Sequence, residues 1–196
     1  MNDIILASSS PYRAKLLDQI GLPYQIVVPN IDETPKQNET AANLSKRLSL
    51  KKAESVAHYH RGAIIIGSDQ VAELEGQTME KPRTESIAIQ QMEKQSGKKV
   101  RFFTACTVAK LNQDGHNIVN HTAINETIVE YRPLSSQQIK NYMRIERPYD
   151  CTGSFKAEGL GITLCAAIQS DDPSAIIGLP LIALINLLKH FKINAA

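Results

Sequence analysis

The apolar run Ile4-Ile5-Leu6 passes into the segment Ala14-Lys15-Leu16-Leu17-Asp18-Gln19-Ile20 through Ala7-Ser8-Ser9-Ser10-Pro11-Tyr12-Arg13. The first run has the length and branching of a buried strand. The second repeats apolar residues at helical spacing and stops at Gly21. A strand handed to a helix within so few residues restricts the fold to one in which the two alternate. Ser10 is placed to be the N-cap, and Pro11 suits the first helical position, where a missing N–H costs nothing. The turn offers backbone N–H groups at the positive end of a helix, three hydroxyls and the Arg13 guanidinium. That set suits a phosphate chain. A cation in the first turn opposes the helix dipole unless an anion comes to it.

The same punctuation continues along the chain. A β-branched strand is expected over 24–28, then a loop with Asp32 and Glu33 between Pro29 and Pro35. A helix is expected over 40–59. The strand over 63–66 is the clearest in the chain, and it runs through Gly67-Ser68-Asp69-Gln70 to a second stretch over 71–74. Asp69 reads as lying at the end of the isoleucine-rich strand. Glu75-Gly76 marks a turn, Glu80-Lys81-Pro82 closes a loop, and Thr84 caps a helix to Gln95. Strands follow over 100–111 and 118–131, with Asp114-Gly115 as the hairpin turn. Ser135 and Gln138 form a capping box before a helix to Arg144. A glycine-punctuated loop precedes a strand expected over 162–164, and a last helix runs over 180–191. The interleaving makes the fold α/β, and the long paired run makes the sheet mixed: a twisted sheet flanked by helices.

Composition removes whole classes of function. The formal net charge is +2 over 196 residues, so no field exists to hold a long nucleic acid. The three cysteines are an odd number without a C-x-x-C pair, which points to a reducing compartment and away from structural zinc. The apolar tract over 175–188 is too short to span a bilayer and holds Pro180 and Asn186. With no signal-peptide pattern before the first strand, a cytoplasmic protein without membrane contact is expected.

Two acids and two lysines stand out. Glu33 lies in the loop after the second strand, and Asp69 follows an apolar run where an unpaired carboxylate is costly. Together they suit a hard divalent ion that keeps room for water and phosphate. Alternatively, one of them takes a proton from an attacking water. Lys52 and Lys81, with Arg13, would neutralise a triphosphate.

Taken in order, Ser8-Ser9-Ser10-Pro-Tyr-Arg13, Asp32-Glu33-Thr34, Arg47 with Lys52-Ala53, Gly67-Ser68-Asp69-Gln70, Lys81-Pro82, Gly153-Ser154-Phe155, Glu158-Gly159 and Gly178-Leu179-Pro180-Leu181 resemble the Maf family of nucleotide pyrophosphatases. The resemblance implies a single domain over 1–196 with two lobes around one cleft, akin to inosine triphosphatases. It implies hydrolysis of a nucleoside triphosphate to the monophosphate and pyrophosphate. A divalent cation (magnesium, manganese or cobalt) is implied as cofactor, and a homodimer as the assembly. The family's proton acceptor falls on Asp69, and its other essential polar positions fall on Ser8, Arg13, Glu33, Lys52 and Lys81. Ser10 joins Ser8 and Arg13 as a phosphate-binding candidate. Glu33 and Asp69 are the metal candidates.

Within the family the chain resembles the branch that hydrolyses 7-methyl-GTP rather than the dTTP/UTP branch. Tyr12 stands where that branch usually has tryptophan, Gln70 follows Asp69 where the dTTP branch has threonine, and Glu158 replaces that branch's glutamine. Methylation at N7 makes guanine cationic. Stacking of Tyr12 on such a base is worth about 0.5–2 kcal/mol. A Glu158 carboxylate suits the ring N–H and exocyclic amine of guanine. Other nucleotide substrates, and a nucleotide-binding regulator of cell division with little turnover, are the alternative expectations.

Overall fold

The computed structural model describes residues 3–112 and 115–194. They form two compact units. The first comprises Met1–Asp69, Thr104–Asn125 and Asp172–Ala196, and the second comprises Gln70–Phe103 and Glu126–Asp171.

In the first unit, strand β1 (Ile4–Ala7) leads to helix α1 (Pro11–Asp18), strand β2 (Gln25–Val27) and helix α2 (Ala41–Ala57). Strand β3 (Ile64–Leu74) lies parallel to β1, with Ile4 opposite Ile64 and Ala7 opposite Gly67. β2 lies parallel to β1 on its other side. Both faces of these strands are covered, so their sequences read as continuous apolar runs. Alternate residues still part to opposite faces. Ile4, Leu6, Ile64 and Ile66 pack with Leu16 and Leu17 of α1 and with Leu184, Leu187 and Leu188 of the C-terminal helix. Ile5, Ala7 and Ile65 pack with Ala53, Val56 and Ala57 of α2.

The second unit holds the far part of β3, strand β4 (Gln77–Met79) and helix α3 (Glu85–Gln95). Strands β5 (Lys99–Leu111) and β6 (Ile118–Tyr131), like β3, give residues to both units. Helix α4 (Ser136–Glu146) and strand β7 (Cys165–Gln169) complete it, β7 running antiparallel to β6. Phe155 packs edge-on to Tyr131 and tilted on Phe102. Helix α5 (Leu181–Lys189) returns the chain to the first unit. The sheet is mixed and flanked by helices, as the interleaving predicts.

The caps follow the sequence signals. The side chains of Ser10, Thr40, Thr84 and Ser135 each accept from the backbone N–H three residues on. The expected hairpin turn at Asp114-Gly115 falls on Asp114, outside the described residues.

Three expectations need correction. The strand expected over 162–164 is a short 3-10 turn, Leu160–Leu164, and the strand begins at Cys165. Thr163 donates its hydroxyl to the Leu160 carbonyl at 2.7 Å, a local bond that competes with a ladder. Pairing starts only where Cys165 meets Tyr131. The loop assigned to 77–79 contains β4, because Glu75 and Gly76 both adopt positive φ and turn the chain back onto β3. Asp69 is not at a strand end: β3 continues unbroken to Leu74.

Candidate active site

The site in the first unit grows out of the alternation along β3. Gly67 and Asp69 point to the face covered by α2, and Ser68 to the opposite face. Gly67 permits the close approach. A Cβ there would run into the Ser49 carbonyl and come within 2.8 Å of the Ala53 nitrogen. With α2 drawn down onto the strand, Lys52 is buried and reaches the acids. Its Nζ lies 2.5 Å from Asp69 Oδ1 and 2.9 Å from Glu33 Oε1. Lys52 and Asp69 keep 8% and 9% of their side-chain surface, whereas Glu33 keeps 58%. One ammonium therefore joins a buried carboxylate to one at the surface. Lys52 is no solvated surface lysine, the ordinary environment of that residue type.

Burial pushes the Asp69 carboxyl above its ordinary value, against the downward pull of Lys52 and Arg13. A carboxylate raised in this way is better suited to take a proton than an exposed one.

Arg13 belongs to the same constellation. Burial lowers its pKa, while the negative charges of Asp69 and Glu33 act in the other direction. Its Nε donates to the Gly178 carbonyl at 2.8 Å, and its Nη1 lies 3.4 Å from Ser8 Oγ. Ser8 is buried, and its Oγ also accepts from the Ser10 backbone N–H at 3.1 Å. Ser10 Oγ accepts from the Arg13 N–H at 3.5 Å as the cap of α1. Tyr12 is half-buried in the first turn of that helix. The Cys106 thiol, fully buried and electrostatically coupled to Arg13, is pushed up to about 12, so it stays protonated.

The Glu33 loop is held from α2. Arg47 makes a two-pronged bond to Glu39, 2.6 Å from Nε to Oε1 and 2.7 Å from Nη2 to Oε2. Its Nη2 also donates to the Thr34 carbonyl at 3.0 Å. Arg47 thus grips the residue after Glu33, five positions before Lys52 and on a different side of the helix.

Gln70, Lys81 and Glu158 belong to the second unit. Gln70 follows Asp69 on β3 and is half-buried. Lys81 is exposed beside buried Pro82, in a loop pinned on both sides. Gln91 donates to the Glu80 carbonyl at 2.9 Å, and the Arg83 N–H to the Tyr149 carbonyl at 3.0 Å. Glu158 is exposed in a loop that α4 holds through Glu146. That carboxylate accepts from the Leu160 N–H at 2.5 Å and pairs with Lys156 at 2.8 Å.

Among the described residues, no three His, Cys, Asp or Glu side chains gather to hold a metal ion. Glu33 and Asp69, joined at Lys52, supply carboxylate oxygen and no nitrogen or sulfur. That chemistry fits a hard divalent cation, which takes one or two carboxylates and leaves the rest of its shell to water and substrate phosphates. Among the described residues no helix is long and apolar enough to cross a membrane.

Sequence reasoning misses Ser68, Gly178 and Glu39. The Gly-Leu-Pro-Leu run that begins at Gly178 is a visible signal, but nothing in sequence ties Glu39 to Arg47.

The comparisons with known proteins agree in direction. The chain is 47% identical over 191 residues to a protein of Bordetella avium named 7-methyl-GTP pyrophosphatase, covering 97% of this chain and 94% of that one. Proteins of the same name from Cupriavidus metallidurans and Nitrosococcus oceani are 45% and 46% identical, each covering 95% of this chain and 92% of the relative. Among solved structures, the Staphylococcus aureus Ham1 protein is similar at a TM-score of 0.45 and 14% identity over 70% of this chain and 88% of that one. The pattern of the Maf-like proteins matches residues 3–191, and the chain belongs to the Maf family.

Proposed function

We propose that the protein is a nucleoside triphosphate pyrophosphatase that hydrolyses 7-methyl-GTP to 7-methyl-GMP and pyrophosphate. The observation that carries this reading is the convergence on Lys52 of a buried and an exposed carboxylate, in electrostatic reach of Arg13. The name shared by relatives at 45–47% identity supports the choice of nucleotide.

In this reading the planar fork of the Arg13 guanidinium and the hydroxyls of the Ser8–Ser10 turn hold phosphate oxygens. Asp69 takes the proton of a water whose oxygen attacks the α-phosphorus. The bond from that phosphorus to the bridging oxygen breaks, and pyrophosphate leaves. Lys52 keeps Asp69 ionised despite its burial and holds it toward Glu33. Glu33 and Asp69 would hold a divalent cation, which would supply neutralisation of phosphate charge. Lys81 adds positive charge, and Tyr12, Gln70 and Glu158 select the base. Most of the rate comes from positioning and charge neutralisation.

A cytoplasmic location is supported by the three cysteines, all of them free thiols. The family resemblance supports a homodimer, and a single domain with both units serving one reaction.

A panel of 7-methyl-GTP, GTP, dTTP and UTP, compared by kcat/KM for pyrophosphate release, tests the reading. It predicts the highest value for 7-methyl-GTP. A higher value for dTTP or UTP would reassign the substrate, and no release with any nucleotide would remove the enzyme.

A further inference from the structure

The direction of the Arg13 guanidinium is set by its hydrogen bonds. Its Nε is committed to a single backbone atom, the Gly178 carbonyl, at 2.8 Å. The same oxygen lies 2.9 Å from Ser68 Oγ, fully buried on β3. Gly178 has φ 126° and ψ 6°, a conformation that a side chain strongly disfavours. A Cβ there would sit 3.5 Å from Arg13 Nε. The carbonyl's direction is thus fixed by a backbone shape that needs support.

The support comes from Asp172 and Ser174. Helix α5 begins after Pro180, whose side chain cannot cap it. Asp172 does so from earlier in the chain: its Oδ2 accepts from the Ile182 N–H at 2.8 Å and lies 3.3 Å from the Ala183 nitrogen. Its Oδ1 accepts from the Ser174 hydroxyl at 2.6 Å. Ser174 Oγ in turn accepts from the Leu181 N–H at 2.7 Å. Three helix donors that would otherwise lack partners are taken up by two side chains. The segment from Ser174 to Leu181, with Gly178 inside it, is closed like a clasp. Asp172 is buried, at 3% exposure.

We infer that Asp172 and Ser174 are positioning residues: their clasp fixes the Gly178 carbonyl, and through it the plane of the Arg13 guanidinium that meets the triphosphate. A guanidinium has five N–H donors in a rigid fork, so fixing Nε fixes where the other four point. The inference rests on Arg13 being the phosphate holder of the proposed function.

Two measurements test it. The first is the solvent exchange rate of the Arg13 Nε–H, followed by NMR in the protein without nucleotide. Ser174→Ala and Asp172→Asn should each speed it about tenfold, as expected when a hydrogen bond to a charged group is lost. An unchanged rate in both variants overturns the clasp. Ser174→Ala carries this test if Asp172→Asn fails to fold. The second is the dissociation constant for inorganic tripolyphosphate, which needs no turnover. Ser174→Ala should weaken binding about tenfold in the native background and leave it unchanged beside Arg13→Ala, because the two groups act in series. Full additivity would mean that Ser174 acts independently of Arg13 and would overturn the inference. The exchange rate decides the clasp whether or not the protein hydrolyses a nucleotide.

Discussion

Asp69 is the residue on which the proposed reaction makes its heaviest chemical demand. It is a carboxyl inside a continuous strand, pushed up by burial against the opposing pull of one buried lysine and of Arg13. Replacement by asparagine keeps the shape and removes the proton acceptor, so turnover should fall by about 10²–10⁴, the usual worth of a general base. Circular dichroism should show the fold unchanged, and near-native pyrophosphate release would contradict the role. The sign of the pH dependence follows from the direction of the shift. A raised carboxyl takes up its proton at a higher pH than an exposed aspartate, and the protonated form cannot act as base. The acid limb of kcat/KM should therefore fall off above the ordinary carboxylate range, and Asp69→Asn should abolish that limb. Lys52→Met breaks the same pair from the other side and leaves Asp69 buried without its closest cation. Such a loss costs about 3–5 kcal/mol. Urea denaturation should show a destabilisation of that size together with lost turnover. Native stability in that variant would mean that the pair is not structural.

At the scale of elements, the contact of α2 with β3 brings Lys52 to Asp69. Gly67, Ser49 and Ala53 keep that contact close. Gly67→Ala should push the helix off the strand. Overpacking of this kind costs about 1–3 kcal/mol. Denaturation reads the stability loss, and kcat reads the parting of Lys52 from Asp69. A stable, fully active variant would show that the glycine is dispensable. Elements announced by local chemistry were legible in the sequence: the capped helices at Ser10, Thr40, Thr84 and Ser135, and the isoleucine-rich β3. The 3-10 turn before β7 was not. Its branched residues carry strand propensity, but Ile162 is 54% exposed and the pairing with β6 begins only at Cys165. Pairing over a long sequence distance overrode the local signal. The same holds in the site. Ser8, Arg13, Glu33 and Asp69 stood out because a charge or a hydroxyl cluster beside an apolar run is conspicuous. The burial of Lys52, the grip of Arg47 on Thr34 and the clasp at Asp172 depend on approaches between distant segments that no spacing encodes.

For the whole molecule, the proposed function draws on residues of both units. Ser8, Arg13, Glu33, Lys52 and Asp69 belong to the first unit, and Lys81 and Glu158 to the second. Glu158→Gln keeps the acceptor oxygen but loses the charge that suits a cationic base. It should lower kcat/KM for 7-methyl-GTP about tenfold while leaving that for dTTP near its native value, a contrast sized by the strength of a charge-assisted bond. An unchanged ratio between the two nucleotides would discard base reading by Glu158. Beneath that question lies the reaction itself, and the placement of solvent oxygen reads it most directly. Hydrolysis of 7-methyl-GTP in ¹⁸O-labelled water, followed by mass spectrometry of the products, should give 7-methyl-GMP carrying the label and pyrophosphate without it. Label in pyrophosphate, or release of single phosphates from the far end of the chain, would contradict attack at the α-phosphorus.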